Sequence, residues 1–189
     1  MLIETMNTDE CFAMLARSHV SRLACARDNQ PYIVPVRVEL EGDSLYGYAT
    51  LGRKIEWMRT NPLVCLECEE LTSDRHWASV VVLGLYEELP SSPEHEGARQ
   101  VAQRLFQKRA MWWEPAALAP NGERRPPIVF RIHIGSVSGR RTGHQDDRGT
   151  SHADPVAEPA RPGWATALWR RLRPTRRASP ADRADVRHR

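Results

Sequence analysis

The sequence predicts a mainly β protein, an antiparallel barrel of six strands with flanking helices and a C-terminal tail. Three observations predict it. Six strand-like segments follow one another through hairpin turns or short helical excursions, as in antiparallel barrels. There is no regular alternation of strand and helix and no GxGxxG, so a doubly wound nucleotide-binding sheet is excluded. From Arg141 onward the composition turns to Arg, Pro, Ala and Asp, which reads as disordered. The expected division is a folded domain over 1–140 and a tail over 141–189.

A chain of 189 residues suits one domain, and a hydrophobic share of 41% supports a core. The start, MLIETMNTDE, lacks a basic segment followed by an apolar run, and no stretch is apolar enough to span a membrane. The expectation is a cytoplasmic protein. Gly139 to Arg189 holds twelve Arg against six Asp or Glu, a net of +6; the whole chain is +3, so residues 1–138 carry −3. The basic character belongs to the tail, and no nucleic-acid partner is expected for the core. Cys65-Leu-Glu-Cys68 has the spacing of half a zinc site but no second pair, and positions three apart on a strand face opposite sides. No metal is expected, and the four cysteines read as reduced, buried or half-buried thiols.

In order, Thr8-Asp9-Glu10 starts a helix that carries Phe12, Leu15 and Ala16 on one face. Val20–Ala26 alternates as a half-buried strand, and 27–31 (RDNQP) is a turn. Tyr32–Leu40 is a second strand, in which Pro35 marks an edge or bulge because it cannot donate to a ladder. Glu41-Gly42-Asp43 turns the chain into a strand around Tyr46 and Tyr48. After a helix at Arg53 and a strand at Leu63–Glu67, residues 69–75 read as a polar loop. Trp77–Leu85 is valine-rich and reads as a strand buried on both sides or nearly so, with Ser79 its polar exception. Pro93–Arg109 has helical spacing, and a Trp112-Trp113 pair follows. That pair either plugs the barrel or an interface, or stacks on a ligand. The last strand, 126–138, puts Arg131 and His133 on one face, as a surface pair or an interface site. In the tail, 163–173 (GWATALWRRLR) is a short basic amphipathic helix for an anionic surface or a partner, or else solvated chain.

The stretch Asp43–Glu70 organises these elements. It reads as strand, basic turn, helix, Asn-Pro stop and strand. Arg53 and Lys54 stand where the first helical N–H groups have no internal partner, which suits an anion such as phosphate. An ordinary solvated charge pair fits the spacing as well.

The order PYIVPV, GDSLYGYAT, GRK, NP and HWASVVVLGLYEEL resembles the pyridoxamine 5′-phosphate oxidase-like superfamily, the FMN-binding split β-barrels. The branch with nitroimidazole-resistance-type proteins is the most similar, and the resemblance covers roughly residues 9–140. It implies a six-stranded split barrel, a homodimer with cofactor at the subunit boundary, and FMN as the cofactor; a deazaflavin coenzyme or haem is the alternative. It also implies roles. Arg53 and Lys54 neutralise the FMN phosphate. Tyr48, Ala49 and Thr50 line the phosphate and ribityl side. Pro35 and Val36 border the flavin ring, and Ser79 contacts the ring or ribityl chain. Trp112 or Trp113 closes the groove from the other subunit.

Two departures narrow the implied chemistry. Many members of that branch carry His where this chain has Tyr48. The chain also lacks the Glu-Phe-Trp ending that reads vitamin B6 phosphate in true oxidases, so pyridoxamine phosphate oxidation is not expected. The resulting expectation is an FMN-dependent oxidoreductase acting on a small molecule, with no catalytic acid or base identified. The alternative is a non-enzymatic flavin, deazaflavin or haem binding or sensor protein of the same fold.

Overall fold

The computed structural model describes residues 2–18, 20–73, 76–107 and 127–143. The described residues form β1 (Ile3–Met6), α1 (Thr8–Arg17), β2 (Ser21–Arg27), β3 (Gln30–Val36), β4 (Val38–Glu41), β5 (Ser44–Ala49), α2 (Arg53–Thr60), β6 (Leu63–Ser73), β7 (His76–Glu88), a 3-10 turn (Pro93–His95), α3 (Glu96–Gln107) and β8 (Ile128–Thr142). The Trp112-Trp113 pair and the 163–173 segment lie outside the described residues.

Tight turns set the hairpins. Asp28 and Asn29 take φ of 52° and 63° between β2 and β3, a conformation their short polar side chains tolerate, and Gly42 takes 60° between β4 and β5. All pairings are antiparallel. The strands run β3-β2-β6-β7-β8-β5-β4, with β1 on β8. The long β8 carries β7 along its length, β5 on its first half and β1 on its last residues. The two ends of this path, β3 and β4, are one residue apart in sequence. The sheet therefore curls until its ends meet at Arg37, a barrel split elsewhere along that seam.

The class is as expected, but eight strands are described instead of six. β1 is one addition. The other arises because Tyr32–Leu40 breaks at Arg37, whose guanidinium turns onto Glu39 at 3.1 Å, the two side chains being 10% and 12% exposed. The polar stretch 69–73 continues β6 as strand, with a bulge between Leu71 and Ser73. The cap of α1 is Asn7, one residue before the expected start. Its side chain accepts from the Glu10 N–H while the Glu10 carboxylate accepts from the Asn7 N–H, a reciprocal capping box.

The interior of the barrel is Leu23, Leu66, Val80, Val82, Phe130 and Ile132, closed by Met14 of α1 and by Ile55 and Met58 of α2. Gly47 is required here, because a Cβ would stand inside the Phe130 ring. A second cluster forms where α3 lies over the outer side of β5 and β8, joining Ala102 and Leu105 to Tyr46, Leu89 and Val129. β7 is not buried on both sides. Val80 and Val82 are sealed, but Leu83 is 55% exposed on the opposite face. Among the described residues no helix is long and apolar enough to cross a membrane.

Candidate cofactor site

The start of α2 brings two cations to the open end of a helix. Gly52 precedes the helix, and no side chain caps its first N–H groups. Arg53 is exposed, with its guanidinium 5.3 Å over the Tyr32 ring. Lys54 is half-buried. Desolvation holds its ammonium pKa below the usual value, and the nearby Cys25 thiol opposes that only in part. Among the described residues no carboxylate is paired with Arg53 or Lys54. Two cations at an uncapped helix start, one of them desolvated, favour an incoming anion.

The end of β5 leads toward this helix start. Ala49 faces the core and is 3% exposed, whereas Tyr48 faces outward and meets Phe106 of α3 edge-on at 4.8 Å. Half-buried Thr50 follows the strand and stands three residues before Arg53. Val36 is likewise a core residue, so any ligand beside it meets its backbone.

Pro35 and Ser79 belong to a different surface, the outer face of the sheet. Register aligns Pro35, Arg22, Glu67 and Val81 in one row across β3, β2, β6 and β7, and Ile33, Ala24, Cys65 and Leu83 in the next. Residues directly opposite share a face. Ser79 lies beside the first row and donates to Glu67 at 3.0 Å, so its hydroxyl is held by a side chain rather than by backbone. Arg22 reaches Glu67 at 3.2 Å and Glu69 at 2.7 Å. The site residues named from the sequence thus form two groups on either side of edge strand β3. The helix-start group reaches it through Tyr32, and the outer-face group through Pro35.

One polar cluster escaped the sequence reading. Glu87 accepts from Arg131 at 2.5 Å and pairs with His133 at 2.7 Å, and His95 of the 3-10 turn stands 3.6 Å away. Desolvation alone would raise the Glu87 pKa, but the hydrogen bonds from Arg131 and His133 outweigh it and hold the carboxyl low. Arg131 and His133 do share a face; Glu87 could be found only from the β7–β8 register.

The comparisons agree with this architecture. A family model described as pyridoxamine 5′-phosphate oxidase matches residues 7–141. An uncharacterized protein of Rhizobium meliloti is 44% identical over 144 residues, covering 74% of this chain and 95% of that protein. A crystal structure of a protein from Mesorhizobium loti, described as FAD-binding, is 43% identical with a TM-score of 0.65, covering 76% of this chain and all of that one. A candidate 5-nitroimidazole antibiotic resistance protein of Bacteroides thetaiotaomicron shares the fold at 17% identity and a TM-score of 0.53, over 75% of this chain and 89% of that one. With its family model spanning nearly the whole described barrel, the chain belongs to the pyridoxamine 5′-phosphate oxidase family.

Proposed function

We propose that this protein is a flavin-dependent oxidoreductase acting on a small molecule, with FMN as its cofactor and a homodimer as its working form. The observation that carries the reading is the start of α2, where Arg53 and Lys54 meet N–H groups that no side chain caps, and where Glu56 of the first turn is paired with neither cation among the described residues. That donor set fits the 5′-phosphate of a flavin nucleotide. The 43% identical relative described as FAD-binding supports a flavin in particular. FAD carries the same riboflavin 5′-phosphate, so the cradle suits either nucleotide.

Arg53 and Lys54 hold the phosphate, and the backbone at 48–50 follows the ribityl chain. Pro35 and Ser79 border the ring along the outer face. Bound flavin supplies the hydride or electron transfer; the protein orients it and keeps water from it. The homodimer draws support from the same face. Ile33 and Leu83 are 60% and 55% exposed there, with Ala24 and Cys65 between them and Val81 beside Leu83 on β7, an apolar strip that a second subunit would cover.

The visible spectrum of purified protein, with mass measurement of what denaturation releases, tests the cofactor and tells FMN from FAD. The double variant Arg53→Ala/Lys54→Ala is expected to lose the flavin while its far-UV circular dichroism stays unchanged. A folded double variant with full flavin content would remove the phosphate assignment.

A further inference from the structure

Arg53 stands at one end of a four-membered stack. Its guanidinium lies 5.3 Å over the Tyr32 ring. Tyr32 meets Trp57 at 5.5 Å with the planes tilted by 59°. Arg27 covers Trp57 at 5.2 Å. The stack joins the β2–β3 hairpin to α2, and Trp57, only 8% exposed, is its fixed member. Its one ion pair among the described residues is remote from Arg53, a 3.9 Å contact between Arg27 and Asp28.

An exposed arginine is mobile, and a ligand that binds it must fix it. A carboxylate partner would fix it by occupying the same N–H donors a phosphate needs. An aromatic ring holds the guanidinium by its face and leaves the in-plane donors open. We propose that Tyr32, backed by Trp57 and Arg27, is a positioning residue that holds Arg53 ready for a cofactor phosphate without competing for it. The inference rests on the flavin reading, in which Arg53 is the phosphate ligand. It also accounts for the absence of any carboxylate on Arg53 among the described residues.

The test compares FMN with riboflavin, which differ by the phosphate alone, on flavin-stripped full-length protein. The ratio of their dissociation constants reads the phosphate's share of binding. Tyr32→Phe keeps the ring and is expected to keep the ratio. Tyr32→Leu removes the ring and is expected to lower the ratio by about two- to fivefold, as the loss of one exposed cation–π contact implies, with riboflavin affinity unchanged. Three results would overturn the inference: an unchanged ratio in Tyr32→Leu, a parallel loss of riboflavin affinity, or a Phe variant as weak as the Leu variant. Melting temperatures accompany each variant, and the Phe variant preserves the packing if the Leu variant does not fold. Wild-type protein that binds FMN with a phosphate-dependent ratio keeps the flavin reading whatever the Tyr32 variants do. Wild-type protein that binds neither ligand overturns both.

Discussion

Cys65 and Cys68 show how far one residue can be read. Alternation alone places them on opposite faces of a strand, and they lie so on β6, with Cys68 sealed in the core and Cys65 half-buried on the outer face. The sequence does not give the reactivity that follows. Burial pushes the Cys68 thiol up to about 11, and it raises Cys11, Cys25 and Cys65 as well. The thiolate is the reactive species, so the native protein is expected to react slowly with a disulfide reagent at pH 8. Cys65 should react first and Cys68 last, with all four modified in denaturant. Rapid loss of Cys68 in folded protein would mean that the core is open there. Ser79 carries a related lesson. A lone serine in a valine run draws the eye, but Glu67, twelve positions earlier, becomes its partner only through the β6–β7 register.

At the level of elements, the strands that were legible are those whose own residues carry a strand pattern or composition. β2 alternates, β5 is marked by its tyrosines and β7 by its valine run, and α2 has a clear start and an Asn-Pro stop. β1 is four residues long, too short for a pattern, and is held as a strand by β8. The 69–73 extension of β6 is polar on both faces and so reads as loop; pairing with β7 makes it strand. Tertiary register outweighs local composition at both places. Close packing between elements gives one prediction. Gly47 of β5 abuts the Phe130 ring of β8, so Gly47→Ala should cost about 1–3 kcal/mol in denaturant unfolding, as overpacking does. A neutral result would show that the ring can move aside. The Glu87 cluster gives a second, because it ties β7, β8 and the 3-10 turn together. Its carboxyl lies below the ordinary 4.5, so ionised Glu87 stabilises the fold above that pH. The contribution is lost as pH falls through the lowered value. Glu87→Gln should therefore melt lower than wild type at pH 7, and the gap should close toward pH 3. A gap that persists in acid would assign the effect to packing instead of charge.

For the whole molecule, the cofactor reading and the assembly reading meet at edge strand β3. The anion cradle reaches its inner side through Tyr32, and the outer face begins at Ile33 and Pro35. A flavin with its phosphate at Arg53 and its ring beside Pro35 would pass around this edge. A single chain leaves that outer face open, with Leu83 and Ile33 exposed and the Arg22–Glu67–Glu69 charges along one side. A second subunit over the face would exclude water from the ring and cover the apolar strip together. Leu83→Glu places a charge at the β7 end of that strip without touching the core, since Val82 and Gly84 on either side face inward. The variant is expected to fold, to elute as a monomer by light scattering, and to hold less flavin than wild type. A monomer with full flavin content would put the ring site within one chain. A variant that remains dimeric would move the interface to another face and leave the anion cradle untouched.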